Sequence, residues 1–502
     1  MSERAADRTE VLVVGGGPAG STTAALLARE GLDVTLLERE RFPRYHIGES
    51  LLPSLLPVLD LLGARQAVER QGFVRKSGAY YDWGGQRWAL RFAGLGGETG
   101  AGTGVGTGVG TSTSPGPGPG PGYSFQVVRS AFDQVLLEHA RQAGAVVREG
   151  VSVRGITFGE GRPVEAAYAS RDGDHGAGSG GGKRAEGGRI AFEHLVDASG
   201  RAGVLAARQL RTRRFHDVFR NVATWGYWRG AAPVAAAPDG AICVFSLPDH
   251  GWFWAIPLHD GTLSVGLVTD KRSFSAARQA LGGTEAVYAS RLRAVPALRG
   301  LLGGAALVSP LKVESDYSYT AERFCGPGYY LAGDAACFLD PLLSTGVHLA
   351  MYSGLLAAAA IATVRRGEAA EAEAQAFYQG AYRHAYERLL ILVGAFYDVH
   401  RGRDAYFRRA QALSHRDQQH LRLHESFLNI ISGVEDLRDA EHSATAAALL
   451  LDRLQTPLPG HSAAGLGGHG TGRMTPWPTT PDRAVAGLYL AREPRLGLRR
   501  TS

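Results

Sequence analysis

The side chains best suited to chemistry stand out by type and spacing. Of 54 Lys+Arg residues only four are lysines: Lys76, Lys183, Lys271 and Lys312. Arginine stays protonated in a protein, whereas a partly buried lysine can lose its proton. Lys76 opens an expected strand near Ser77–Trp83, where it is either a solvated charge or an amine kept for a reaction. Lys183 falls in a glycine-rich stretch and is discounted. Trp252 and Trp254 lie two apart in the apolar run Gly251–Leu258, so both indoles leave the same face of a strand. They either fill a sheet core or wall off a site. Gly15, Gly17 and Gly20 form G-x-G-x-x-G. The first allows a tight turn, the second lets backbone approach a pyrophosphate, and the third lets a helix pack on its strand. Gly333-Asp334 closes an apolar strand, Tyr329–Ala332, and offers a carboxylate to a ribose or ribityl hydroxyl. Ser344-Thr345-Gly346 then opens a long helix. Its free amides make an anion site, compatible with Ser344 or Thr345 as N-cap.

These groups need elements to hold them. The apolar run Val11–Val14 reads as a buried parallel strand, Pro18 to Arg29 as a helix, and Asp33–Leu37 as a second strand ending in Glu38. Strand, glycines, helix, strand and acid in that order within about 30 residues are a dinucleotide-binding fingerprint. The fold class is therefore α/β with a Rossmann-like nucleotide domain. Past Glu38, a loop rich in polar and aromatic residues (Arg44, Tyr45, His46, Glu49, Ser50) reads as a cover for the cofactor, with Gly48-Glu49-Ser50 turning into a helix. The alternative is a plain loop capped by Ser50.

Composition narrows the class. Hydrophobic content is 44% and charged content 20%, ordinary for a soluble globular chain. The three cysteines, Cys243, Cys325 and Cys337, have no metal-ligand spacing and cannot make a disulfide framework, which points to a reducing cytoplasm and no metal. The start, MSERAADRTE, is polar and unlike a signal peptide. Gly346 to Val364 reads as a core helix rather than a membrane span. The net charge of +6 is spread out, without the aromatic-laced basic stripe of a nucleic-acid binder.

Along the chain, residues 1–93 read as the first part of the nucleotide domain. A Gly/Pro-rich insertion at 94–122 and a Gly-rich hairpin tip at 172–188 read as mobile surface loops. The nucleotide domain resumes over 123–207. It includes a strand and helix at Gln126–Ala140, with Arg129 at the helix entrance, and the strand and turn of FEHLVDASGR. Residues 208–310 read as a β-rich substrate region with strands at Val222–Trp228, Ala241–Ser246, Gly251–Leu258 and Thr262–Val268. The nucleotide domain ends with 311–368. A helical lobe follows over 369–456, with helices at Glu371–His384, Tyr386–Val399 and Ala405–Leu413, and then a partly flexible tail, 457–502.

Four stretches together resemble the flavin-dependent halogenases: GGGPAG with FPRYHIGESLLP, GFVRKSGA, GWFWAIPL, and GDAACFLDPLLSTGVHLAM. The similarity is greatest to members that halogenate phenolic, tyrosine-like groups tethered to carrier proteins in natural-product pathways. It runs through nearly everything except the two insertions and the tail. The W-x-W-x-I-P pattern and the lysine at 76 separate halogenases from aromatic hydroxylases, which share the glycine-rich and Gly-Asp motifs. The resemblance implies an FAD domain of the aromatic-hydroxylase type. FAD would be held by Gly15, Gly17, Pro18, Ala19, Gly20, Glu38, Arg39, Ile47, Gly48, Glu49, Arg129, Gly333, Asp334, Pro341, Gly346 and Val347. Halide would sit at Ser344, Thr345 and Gly346. Trp252, Trp254, Ile256 and Pro257 would shield the flavin, and Lys76 would carry hypohalous acid inward, by hydrogen bond or as a haloamine. It further implies FADH2, O2 and chloride or bromide as co-reactants, a separate NAD(P)H-dependent flavin reductase, and an acyl or peptidyl carrier protein as partner. Tryptophan halogenases carry a glutamate where this chain has Leu343, which argues against free tryptophan as substrate. Two alternatives remain at this stage: an aromatic hydroxylase, and a flavin-binding partner protein without catalysis.

Overall fold

The computed structural model describes residues 7–92, 122–170, 187–401, 478–479, 481 and 484–501, leaving aside 217–218, 248–250 and 316–317. The insertion at 94–122, the hairpin tip at 172–188 and the helix at Ala405–Leu413 lie wholly or mostly outside the described residues. Strand Asp7–Val14 is central in the first sheet. It pairs in parallel with Val34–Glu38 on one side and Gly187–Asp197 on the other. Val146–Glu149 and Tyr329–Leu331 extend the parallel sheet outward. Strands buried on both faces need nearly continuous apolar runs, which VLVV and VTLLE supply. Helix Pro18–Arg29 forms over the residues expected. It packs against Gly346–Arg365, the one helix among the described residues long and apolar enough to cross a bilayer. That helix is a core element here, lying also against Glu371–Arg401.

The second sheet runs Ala306–Leu307, Asn221–Arg229, Thr262–Asp270, Gly251–Pro257, Ile242–Ser246, Gly78–Trp83, Gln86–Arg91, with Lys312–Ser315 also beside Asn221–Arg229. Residues 78–91 and 312–315, expected within the nucleotide domain, thus pair into the substrate-side sheet. Nor is the 208–310 region β-rich throughout: helices Lys271–Leu281, Thr284–Arg293 and Pro296–Leu302 follow the last long strand. Asp270 caps the first of them, accepting from the amides of Arg272 and Ser273 at 3.0 and 3.1 Å, and left-handed Gly282 ends it. Tyr288, Leu298 and Leu301 from these helices cover Phe253, Ala255 and Leu267 on the back of the sheet. Trp252, Trp254 and Ile256 project from the front into the core shared with the first sheet.

Two further expectations change. Glu371–His384 and Tyr386–Val399 are one helix, Glu371–Arg401, because Ala385 between them is a strong helix former. Ser50 does not lead into a helix; it bridges Gln126, and the helix begins only at Leu55, after Pro53 has kept the preceding residue out of helical conformation. In the tail, a hairpin of Leu488–Ala491 and Gly497–Arg500 packs on Gly346–Arg365, and Arg500 pairs with Glu373.

The indole of Trp254 lies flat on Gly266 of the neighbouring strand, where any Cβ would overlap its six-membered ring. Gly266→Ala should destabilise the protein by about 1–3 kcal/mol, measured as a lower midpoint in chemical denaturation.

Candidate active site

The phosphate end is built from backbone. Gly15 has φ +105°, a left-handed value, and packs onto the Ala198 carbonyl where no side chain fits. Gly17 stands at the N-cap of Pro18–Arg29 with no side chain capping it, so the first amides face outward. Pro18, Ala19 and Gly20 are buried in that turn. Arg44 reaches this helix start, its Nη2 close to Gly17 and its Nη1 3.3 Å from Asp133. A cation beside an uncapped helix N-terminus suits a pyrophosphate; the sequence places Arg44 in the covering loop, but not among the residues expected to hold FAD. The Glu38 carboxylate accepts the Gly16 amide at 2.6 Å and the Glu40 amide at 2.8 Å. Each oxygen keeps a lone pair for a ribose hydroxyl. Arg39 lies outside this group, exposed and paired with Glu40. The glycine cradle, the open helix end beside Arg44 and the free capacity of Glu38 fit FAD.

The covering loop is pinned by Arg129. Its guanidinium makes a two-pronged pair with Asp133 at 2.8 and 2.9 Å and donates to the Ile47 carbonyl at 2.6 Å and the Gly48 carbonyl at 3.3 Å. Next to it, the Glu49 carboxyl is pushed up to about 7, mainly by burial. The Tyr227 hydroxyl donates to Glu49 at 2.7 Å, Tyr45 lies 3.0 Å from Tyr227, and the Trp225 indole donates to Tyr45 at 2.7 Å. Tyr227 and Tyr45 carry no cofactor motif, and a partner 178 residues away leaves no local sequence signal.

On the other side, Asp334 follows Gly333 and its carboxyl is raised to about 6 by burial, against the opposing fields of Arg129, Arg201 and Arg213. Arg201 and Arg213 were not expected at the site. Arg213 sits over the Tyr319 ring at 3.9 Å and donates to the Arg201 carbonyl at 2.7 Å. Asp340 accepts the Leu342 amide at 3.0 Å and so shapes the turn through Pro341. Ser344 takes a left-handed φ of +59°, Thr345 occupies the N-cap, and neither hydroxyl caps the helix. The expected side-chain N-cap is therefore not made: the left-handed turn at Ser344 leads the chain in. The start of Gly346–Arg365, with Gly346 and Val347, stays uncapped, as an anion site requires. One residue on, His348 bonds the Ser54 hydroxyl at 2.8 Å, with its imidazole held down to about 4 by burial and Arg388.

Lys76 is 2% exposed. Its Nζ donates to the Leu51 carbonyl at 3.0 Å and lies 5.5 Å from the Phe92 ring. Burial alone pulls its amine down to about 7. Trp252 and Trp254 are buried with ring centroids 6.0 Å apart, and Trp225 extends the cluster at 6.3 Å. The Trp254 indole donates to Ser264 at 3.2 Å, which fixes its rotation. Ile256 is buried and Pro257 half-buried at the end of the strand.

The family model described as tryptophan halogenase matches residues 10–103 and 113–445. A tryptophan 2-halogenase of Chondromyces crocatus is 40% identical over 530 aligned residues, covering 98% of this chain and 94% of the relative. The sulochrin halogenase of Aspergillus terreus is 39% identical over 413 residues, covering 78% of this chain and 69% of its own. Among solved structures, the myxobacterial chondrochloren halogenase, a FAD-dependent halogenase, superposes with a TM-score of 0.68 at 31% identity, covering 90% of this chain and 98% of its own.

Glu38→Ala removes an acceptor from the Gly16 amide and from the bound ribose. Hydrogen bonds to a charged group contribute about 1.5–3 kcal/mol, so FAD affinity should fall roughly tenfold to a hundredfold in a fluorescence titration, with the circular dichroism of the fold retained.

Proposed function

Because the chain belongs to the family of flavin-dependent halogenases, we propose that it chlorinates an electron-rich phenolic ring and that Lys76 hands over the halogen. The enzymes of this family use FAD, O2 and halide, and generally receive reduced FAD from a separate flavin reductase. The chemistry supplied with bound FAD is conversion of O2 and halide into hypohalous acid. The chain's own residues do the rest. The uncapped amides at Thr345 and Gly346 hold the halide. Trp252 and Trp254 keep the organic substrate from the flavin, so that it meets the halogenating agent and not the oxygen directly. The neutral amine of Lys76 takes the halogen as its N–H proton leaves with the hydroxyl as water.

The observation that carries this reading is the state of Lys76: buried, held by one carbonyl, and brought down to about 7 with no charged partner. An arginine there would stay protonated and could not serve. Leu343 provides no carboxylate beside the ring, which suits a phenol that activates itself on losing its proton. A second reading is an indole substrate, favoured by the relative named tryptophan 2-halogenase and its match along almost the whole chain. Delivery on a carrier protein gets no support from the relatives; it rests on the resemblance and on a basic surplus of +6. We place the activity in the cytoplasm on the ground of three free, buried cysteines.

The test supplies FAD, a flavin reductase, NADH, O2 and chloride or bromide, with free phenols, free tryptophan and a tyrosyl-loaded carrier protein in separate reactions. A halogen isotope pattern on the free phenol is the expected outcome. The pattern on tryptophan alone would establish the indole reading, and on the carrier alone would establish tethering. Addition of one oxygen without halogen would overturn the proposal. Lys76→Ala should abolish halogenation with FAD still bound. In the unaltered enzyme, the amine is protonated below its midpoint and neutral above it, so the single-turnover halogenation rate should rise as pH passes through about 7 and then level off.

A further inference from the structure

Lys76 stands on a short two-stranded ladder that the segment around Ser50 extends by a single bridge. Val74–Lys76 pairs antiparallel with Ser124–Gln126, placing Lys76 opposite Ser124. Ser50 bridges Gln126 from the other edge, with the Leu51 amide donating to Phe125 at 3.0 Å. Opposed residues, and residues two apart, share one face. Lys76, Ser124, Gln126 and Ser50 therefore rise from the same side, and the lysine stem crosses the middle strand to reach Leu51. All four are at most 5% exposed. Yet Ser50 Oγ, Ser124 Oγ and Gln126 Oε1 have no hydrogen-bond partner among the described residues, although Gln126 Nε2 donates to the Gly240 carbonyl at 3.0 Å.

A buried polar atom left unpaired costs about 1–3 kcal/mol. Three of them on one face, grouped around an amine with a single acceptor, point to a small polar occupant. That occupant would lie beside an amine whose hydrogen bond goes to the Leu51 carbonyl, with no carboxylate or guanidinium bonded to it. Halide itself belongs at the uncapped helix start near Thr345.

We propose that Ser50, Ser124 and Gln126 form with Lys76 a cradle that binds hypohalous acid before its halogen is passed on, an inference that rests on the reading of Lys76 as the relay. The serine hydroxyls donate to the oxygen of the acid, Gln126 Oε1 accepts its proton, and the amine is left for the halogen. Ser50, Ser124 and Gln126 form no covalent bond; the N–halogen bond forms at the Lys76 amine, whose N–H proton leaves with the hydroxyl as water.

The test compares the Ser50→Ala/Ser124→Ala double variant with Lys76→Ala, both as FAD-loaded enzyme with reductase, halide and a phenol. Hypohalous acid that escapes is trapped by a cyclic 1,3-dione in solution. The double variant should lose about tenfold in halogenated phenol, as expected for about 1.4 kcal/mol of lost binding. The ratio of trapped to transferred halogen should rise, and Ser124→Thr, which keeps the hydroxyl, should restore transfer. A second readout needs no turnover. With only four lysines, a sample labelled with 13C at lysine Cε gives few signals, and the Lys76 titration can be followed in FAD-free protein. Neither serine hydroxyl bonds Nζ, so the midpoint should stay near 7 in the double variant, which separates a lost cradle from an altered amine. Unchanged transfer and escape in the double variant, or a loss of transfer that comes with a shifted midpoint, with Lys76→Ala inactive, would overturn the cradle and leave the lysine relay standing. Full halogenation by Lys76→Ala would overturn the relay and the cradle with it.

Discussion

The active site hangs on one buried ion pair. Arg129 and Asp133 meet with side chains 4% and 0% exposed, one turn apart on the same helix. Burial by itself would raise the Asp133 carboxyl, but the facing guanidiniums of Arg129 and Arg44 overcome it and hold the group below the usual carboxylate range. Removing one partner of such a pair strands a charge in the interior, a loss of about 3–5 kcal/mol. More depends on it than the pair itself, because Arg129 also clamps the carbonyls of Ile47 and Gly48. The loop fixed there sends Glu49 to Tyr227, Ser50 to Gln126, the Leu51 carbonyl to Lys76 and Ser54 to His348. Four elements that carry the candidate chemistry are thus referred to one short segment.

The second sheet solves a different problem, that of giving two tryptophans a rigid place. Its back face is sealed by three helices, and its front face carries Trp252 and Trp254 toward the nucleotide domain. Gly266 lets Trp254 lie flat, and Ser264 accepts its indole proton. Tyr227 spends its only proton on Glu49, so Tyr45 must donate to Tyr227, and Trp225 donates to Tyr45. The bonds therefore point one way, from Trp225 to Glu49, and each strengthens the next. This run of bonds locks the loop after Glu38 to the sheet that carries the tryptophans.

Much of this was legible in the residues. The glycine fingerprint, Glu38, four of the strands of the second sheet and the helix start at Gly346 follow from local patterns that the fold obeys. The misses have physical causes. The apolar face of helix Lys271–Leu281 is short, Phe274 buried with Ala277 beside it and Leu281 left exposed, although its Asp270 cap and Gly282 stop were there to be read. The long helix Glu371–Arg401 was divided where no residue breaks it. The ladder of Lys76 with Ser124 and the contact of Glu49 with Tyr227 join stretches far apart in the chain, and strands of three residues have too little pattern to announce such pairing. Arg44 was legible as part of the covering loop but not as a neighbour of the helix start; Arg201 and Arg213 become visible only once the turn after Asp197 folds back toward Asp334.

The three cysteines are all buried, and burial pushes each thiol up to about 12. The reactive form of cysteine is the thiolate, so these sulfurs are chemically quiet near neutrality. Met351, one of only three methionines, is fully enclosed in the core helix. An enzyme that generates a halogenating agent is exposed first to its own product, and sulfur and free amines are the protein groups that such an agent consumes most readily. A chain poor in lysine, with its cations nearly all guanidinium, offers few competing amines. Its composition and packing together leave little on the protein that such an agent could corrode.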